Sequence, residues 1–318
     1  MAGTKMTKKN IRQKTRILVT GGSGRIGRRL VQRLVGAGDD VTVVDSRHGD
    51  GKGVKYLTIP ISYLKINDVS DFDVVYHLAA SIDYKASKKE LWARNVAPAA
   101  ILLDICKACK QFIFMSSTSV YAEDPRPLTE DSQVKPGNNY GWSKLECEKL
   151  IQKSDIPYTI IRSSQVYGPD FEEGYAQVLK KIQRSEMRII GDGDNHIPLV
   201  HVDDLVDALL IVKGKREALG RILNVDGGYG KTQLEFMETA AGFLGVNPPD
   251  TKINPKVAKI FGRLTGRGAV MTEYIDKMAR DRQISIARAK ELGYAPKVTL
   301  EAGMKEVIEA FRARGLLD

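Results

Sequence analysis

The sequence predicts a doubly wound parallel α/β sheet carrying a smaller C-terminal lobe. Three observations lead there. Short, continuous β-branched runs alternate with amphipathic helices, the pattern of a parallel sheet covered on both faces. A glycine-rich turn links the first run to the first helix. At 318 residues the chain is long for one compact core, so an added lobe or a second domain is expected.

The first strand is Arg16–Thr20 (RILVT), ending at glycines. Arg25–Val35 reads as a helix, with Ile26, Leu30, Val31 and Leu34 on one face and Gly36 and Gly38 to close it. Val41–Val44 is a buried strand ending at Asp45. The pattern repeats through a strand at Val74–Leu78, a long helix at Leu91–Lys110 and a strand at Gln111–Met115. A helix at Tyr140–Lys153 and a strand at Tyr158–Arg162 complete the alternation. Later segments differ: Phe171–Arg184 and Gln233–Leu244 are amphipathic helices, and Asn254–Ala295 is mixed, basic and loop-rich. These are expected to form a lobe over the carboxyl ends of the strands. Val200–Val212 and Ile222–Asp226 are expected to return to the main sheet, so the two parts interleave. No internal repeat or low-complexity segment is visible.

Composition narrows the function classes. With 42% hydrophobic and 28% charged residues, the chain is ordinary for a soluble globular enzyme. No stretch approaches the ~20 apolar residues of a membrane helix, and no apolar segment follows the first lysines, so neither a membrane span nor a secretory signal is expected. Three cysteines without an export signal point to a reducing, cytoplasmic setting. Of the net charge of +10, six positive charges and no acid lie in residues 1–16. Residues 1–15 are read as a basic disordered tail. No nucleic-acid partner is expected, since the body of the chain lacks interleaved aromatic and basic residues.

The turn Thr20-Gly21-Gly22-Ser23-Gly24-Arg25-Ile26-Gly27 has the strand–turn–helix setting of a dinucleotide site. Gly21, Gly24 and Gly27 permit a tight turn, close approach of a pyrophosphate and close helix packing. The helix N-terminus offers free N–H groups and the positive end of its dipole to phosphate. Asp45 is placed to accept a hydrogen bond from a ribose 2′-hydroxyl, and its charge would repel a 2′-phosphate. NAD is therefore favoured over NADP, although Arg47 and His48 follow directly.

Tyr140 and Lys144 (YGWSK) lie four residues apart on a predicted helix and share a face. A free tyrosine has a pKa of about 10, so a phenol that works as a base near neutrality must be brought down by about three pH units, or ~4 kcal/mol. One positive charge at ~4 Å in an effective dielectric of about 20 supplies that much. Lys144 is the expected charge, assisted by an oxidised nicotinamide.

With these motifs in place, the chain resembles the extended short-chain dehydrogenase/reductase family, the NAD-dependent epimerases and dehydratases. The likeness runs through the glycine turn, Asp45, DVVYHLAA (Asp73–Ala80), ARNVAPA around Asn95, FIFMSSTSVYA (Phe112–Ala122) and LTED (Leu128–Asp131). It continues through YGWSK, IIRSSQVYGP (Ile160–Pro169), GDGDNHIPLVHVDDLVDAL (Gly191–Leu209) and ARAKELGYAP (Ala287–Pro296).

The resemblance implies a Rossmann domain at 16–168 plus 199–226 and a substrate-binding lobe at 169–198 plus 227–318. It implies that Ser117 hydrogen-bonds the reacting oxygen, Tyr140 exchanges its proton and Lys144 also holds the nicotinamide ribose. Arg25, Ile26, Leu78, Ala79, Ala80 and Asn95 are implied cofactor neighbours. Thr118, Gln165 and Arg280 are implied substrate contacts, with Arg282 beside the last. His77 is implied to be structural, and Asp203 and Asp204 are read as helix N-capping residues rather than a metal pair. No metal site is expected. Cys106 and Cys109 form CxxC inside the predicted 91–110 helix, where chance spacing is the better account. Helices 91–110 and 140–153 are implied to pair across a two-fold axis in a homodimer.

Departures from the family pattern bear on the substrate. Thr118 and Ser119 stand where dehydratases carry an Asp-Glu pair, Ile197 where many sugar-nucleotide members carry arginine, Gln165 where asparagine is usual, and Pro60 where an acid often reads adenine. Three readings stay open: an NAD-dependent epimerase of a sugar nucleotide, a dehydrogenase of a hydrophobic alcohol or ketone, and a dinucleotide-binding protein without chemistry.

Overall fold

The computed structural model describes residues 14–65, 71–264, 275 and 278–318. Most of the basic leader lies outside them. The core is a seven-stranded sheet, all parallel, in the order β10-β6-β5-β4-β1-β2-β3. Its strands are β1 (Arg16–Thr20), β2 (Asp40–Asp45), β3 (Val54–Thr58), β4 (Val74–His77), β5 (Gln111–Ser117), β6 (Tyr158–Ser163) and β10 (Arg221–Val225). Chain direction across the sheet reverses between β1 and β4, so a crevice opens beyond their carboxyl ends. The expected doubly wound fold is the observed one.

Helices cover both faces. On one side α1 (Arg25–Gly36) and α5 (Val202–Ile211) pack on the sheet through Leu30, Leu34, Leu205 and Leu209, all buried. On the other lie α2 and α3 (Asn139–Lys153), with Leu102, Leu103, Cys147 and Ile151 in the core. The helix α2 runs as Lys88–Leu91, a wider π-type turn at Trp92–Val96, and Ala97–Ile105. It starts before the expected Leu91 because Ser87 and Glu90 form a reciprocal capping box. It stops well before Lys110, because the chain must turn at Cys106–Lys110 to reach β5, whose first residues bond to the Asp73 carbonyl. Cys106 and Cys109 therefore sit in this turn, as buried free thiols, and not inside a helix.

A second hydrophobic core holds Tyr167, Leu179, Phe236, Met237, Met304 and Phe311. It is built from α4 (Glu172–Gln183), α6 (Gln233–Leu244) and the C-terminal helix α9 (Leu300–Ala313). The 171–184 helix is broken near its start, where Glu173 is extended and Gly174 takes φ +88°. Two-stranded pairs flank this core: β7 (Gln165–Tyr167) with β9 (Leu199–His201), and β8 (Ile189–Ile190) with β11 (Lys252–Ile253). The 200–212 segment thus returns to the main sheet only through its helix. Its strand pairs with β7 instead. From the mixed segment come α7 (Pro255–Leu264) and α8 (Ala287–Glu291).

Candidate active site

The glycine turn sits at the carboxyl end of β1. Gly21 has φ +74°, and a Cβ there would lie 2.7 Å from the Ala79 backbone nitrogen. At Gly27 a Cβ would meet the Gly21 carbonyl oxygen at 2.1 Å, so only glycine lets α1 start this close to the turn. The N-terminus of α1 begins after Gly24, with no side chain capping it and no acid in its first turn. Those N–H groups and dipole suit an anion. Asp45 accepts from the Ser23 N–H at 3.1 Å and the Arg47 N–H at 3.0 Å, so its carboxylate is fixed beside the turn. The Arg47 guanidinium comes within 4.0 Å of where a Gly24 Cβ would stand. Leu78, Ala79 and Ala80 form the facing wall after β4, with the Leu78 N–H on the Thr20 carbonyl at 3.1 Å. Turn, helix end and fixed carboxylate fit a dinucleotide.

Asn95 plays an indirect part in this wall. Its Oδ1 accepts from the Ser81 N–H at 2.7 Å, while its amide donates to the Ser81 carbonyl at 3.1 Å and to Ser143 Oγ at 3.0 Å. It ties the 78–81 wall to α3.

Along the inward face of α3, Tyr140, Lys144 and Glu148 follow at four-residue spacing, all buried. Asn138 caps the helix by accepting from the Gly141 N–H at 2.8 Å. Ser117, at the end of β5, lies close to the Tyr140 phenol, and its Oγ donates to Ser119 Oγ at 3.1 Å. Lys144 Nζ donates to the Met115 carbonyl at 2.8 Å and lies 4.8 Å above the Phe114 ring. The trio expected from sequence is thus brought together beside the glycine turn.

Its protonation state differs from expectation. Burial pushes the Tyr140 phenol up, with Tyr84 and Cys147 adding to the rise and the nearby Ser117 opposing it. Lys144 is not among the groups that lower it. Burial brings the ammonium itself down to about 8. In the chain alone, Tyr140 is a proton donor at neutral pH; it becomes a base only with further positive charge nearby. His77 is structural: its Nδ1 meets Thr20 Oγ1 at 2.7 Å, and burial, then the Lys144 charge, lowers its pKa to about 3.

The implied substrate contacts are less concentrated. Thr118 is buried in the turn after β5. Gln165 is exposed and donates to the Tyr175 hydroxyl at 2.9 Å. Arg280 pairs with Glu123 at 2.7 Å, near Gly137. Ile197 belongs to the second hydrophobic core, so it carries no message about substrate polarity.

The N-capping role expected of Asp203 and Asp204 falls to His201, whose Nδ1 accepts from the Asp203 N–H at 3.3 Å. Asp203 instead pairs with Arg29 at 2.8 Å, and Asp204 receives the N–H groups of Lys297 and Val298. His201, Asp203 and Glu306 lie close enough to suggest a metal. With Nδ1 accepting, Nε2 carries the proton of the neutral ring, and it makes no hydrogen bond although Glu306 lies 3.3 Å away.

Sequence reasoning missed two features. Tyr84 sets its ring edge against Tyr140, with centroids 5.8 Å apart, from a loop that carries no motif. Glu148 was legible in principle, as the next step of the 140/144 spacing.

Comparison with known proteins agrees with this geometry. The model of the NAD dependent epimerase/dehydratase family matches residues 17–226. UDP-N-acetyl-alpha-D-glucosaminuronate decarboxylase of Bacillus cytotoxicus is 29% identical, the match covering 94% of this chain and 98% of that protein. A UDP-glucose 4-epimerase of Vibrio cholerae is 28% identical, over 93% and 95% respectively. In fold, the chain is similar to the UDP-glucuronic acid 4-epimerase of Bacillus cereus solved with NAD (TM-score 0.79, 22% identity, 94% of this chain and 99% of that one). With a family match over most of its length and relatives that it spans nearly end to end, the chain belongs to the NAD dependent epimerase/dehydratase family.

Proposed function

We propose that the protein is an NAD-dependent epimerase of a UDP-sugar, acting at a hydroxyl-bearing ring carbon. The observation that carries this reading is the buried Tyr140–Lys144 pair on α3, with Lys144 anchored on the Met115 carbonyl of β5, in a chain whose full-length relatives act on UDP-sugars. Gly21, Gly24, Arg25, Ile26 and Gly27 hold the pyrophosphate, and Asp45 the adenosine ribose. When bound, NAD would supply reversible hydride acceptance at the substrate carbon and a positive charge in the pocket. The residues handle the proton. Ser117 orients the substrate hydroxyl, Tyr140 removes its proton as the carbon is oxidised, and the same phenol returns the proton once the sugar has turned over. Lys144 holds the nicotinamide ribose and keeps a cation beside the phenol.

In this reading residues 169–198 plus 227–318 form the substrate lobe, with Gln165, Thr118 and Arg280 at its border with the nucleotide domain. Two copies pair through α2 and α3. There Trp92, 46% exposed, lies 6.3 Å from Trp142, and the Lys88 ammonium sits 5.1 Å over the Trp142 ring. Solution scattering that shows a monomer at micromolar concentration overturns the dimer. The three buried free thiols suit a reducing cytoplasm.

The test is incubation of NAD-loaded protein with UDP-glucose, UDP-galactose, their N-acetylhexosamine counterparts and UDP-glucuronate, with products resolved by NMR. Epimer formation without net NADH supports the proposal. Reduction of NAD to NADH by small alcohols, or oxidation of NADH by ketones, with no turnover of UDP-sugars, points to the dehydrogenase reading and overturns it.

A further inference from the structure

Beneath the candidate site lies a buried charge network that the proton chemistry does not use. Glu148 is 0% and Arg162 3% exposed. Arg162 reaches Glu148 through two bonds, Nε to Oε1 at 3.0 Å and Nη2 to Oε2 at 2.6 Å. Ser116 Oγ donates to the same Oε1 at 2.5 Å. Ser116 and Arg162 are register partners on adjacent strands, so one carboxylate of α3 clamps β5 and β6 one residue before Ser117 and Ser163. Arg162 is held in turn by the Glu130 carbonyl at 3.3 Å and the Tyr121 ring at 4.8 Å. Tyr121 donates to Asn224 Oδ1 at 2.6 Å.

A buried ion pair adds little net stability over an apolar filling of the same space, so stability alone is a weak reason for it. Its place is informative. Glu148 is one helical turn beyond Lys144, where side chains four apart are neighbours. The Lys144 ammonium is faced by Tyr140, Cys147 and Glu148 on its own helix, by His77 from β4, by the Phe114 ring and Met115 carbonyl from β5, and, beyond Glu148, by Arg162 from β6. At neutral pH Tyr140 and His77 are uncharged, and burial pushes the Cys147 thiol up to about 11. Glu148 is the anion left in this set.

We propose that Glu148 is a positioning residue: it fixes the inward face of α3 against the ends of β5 and β6 and supplies the counter-charge that keeps Lys144 protonated beside Tyr140. The inference rests on the proposed function only in taking Tyr140 and Lys144 as the reacting pair, and its test needs no substrate. Protein loaded with NAD and labelled with 13Cε-lysine is titrated by NMR, with the Lys144 signal assigned by its loss in Lys144→Met. Glu148→Gln is expected to lower the Lys144 midpoint by about one pH unit, a tenfold loss of proton affinity. Ser116→Ala keeps the charge and removes one strand contact, so its midpoint is expected to match the wild type.

An unmoved midpoint in folded Glu148→Gln overturns the proposal, as does an equal shift in Ser116→Ala. If Glu148→Gln does not fold, the paired Glu148→Met, Arg162→Met variant takes its place; because the Arg162 cation leaves with the anion, a smaller fall in the same direction is expected. If neither folds, Glu148 is a requirement of the fold alone and the proposal is overturned. Failure of the UDP-sugar assay with a shifted Lys144 midpoint would count against the proposed substrate and leave this inference standing.

Discussion

The Ser117 side chain, at the end of β5, stands close enough to the Tyr140 phenol in the first turn of α3 to oppose the rise in its pKa. Among the influences on the phenol, it is the one that favours the ionised form, against burial and the neighbouring Tyr84 and Cys147. The proton chemistry of the site thus depends on how firmly these two elements are held together.

Tyr140→Phe removes the proton carrier and leaves the ring. It should lower kcat by about 10²–10⁴-fold, the usual contribution of general acid–base catalysis. NAD affinity should change little. Steady-state assay with the active UDP-sugar, together with calorimetric NAD binding, checks both halves.

Gly27→Ala places a methyl group where the Gly21 carbonyl oxygen stands, 2.1 Å away. Backbone cannot yield as a side-chain tip can, so the turn must open. NAD affinity is expected to fall at least about tenfold, roughly 1.4 kcal/mol, and isothermal titration reads it directly. Unchanged affinity would mean that the turn is not the pyrophosphate cradle.

Asp45→Ala should release the discrimination between cofactors, because the charge that would repel a 2′-phosphate is gone and Arg47 remains beside the turn. The ratio of NADP to NAD dissociation constants is expected to narrow by about tenfold or more, on the order of 1.4 kcal/mol.

Lys144 carries a stability cost whose pH dependence has a definite sign. Burial lowers its pKa from 10.5 to about 8, so the unfolded chain binds more protons between these values. The cost, on the order of 3 kcal/mol, is fully present below about 8 and disappears as pH rises to the unfolded value. Lys144→Met should therefore raise the unfolding free energy at pH 7 and lose that advantage by about pH 10.5. Urea titrations across this range test it, and an advantage that grows with pH would contradict it.

Several elements could be read from sequence with accurate ends, such as β1 at Arg16–Thr20 and α6 at Gln233–Leu244. In both, local pattern and tertiary packing ask for the same thing. Boundaries failed where they disagree. The segment CKACK after Ile105, which has no helix breaker, could have continued α2, but the need to enter β5 beside β4 ended it. Gly174 breaks α4 although the apolar spacing runs through it. Pairing of β7 with β9 joins segments that no local pattern connects. At the site, Tyr140, Lys144, Ser117 and the glycine turn were visible because each belongs to a short motif. Tyr84 was not, since it lies in a loop without a motif and acts on a partner distant along the chain.

By itself the sequence determined the order of strands and helices, the glycine turn and the side chains proposed to react, because spacing of apolar residues and glycines is a local property. Charge state and orientation were decided only in the folded chain. Whether Tyr140 holds its proton, whether Ile197 meets solvent or core, and whether Glu306 lies beside His201 depend on desolvation and on partners from remote segments. Those quantities exist only once the sheet has brought the segments together.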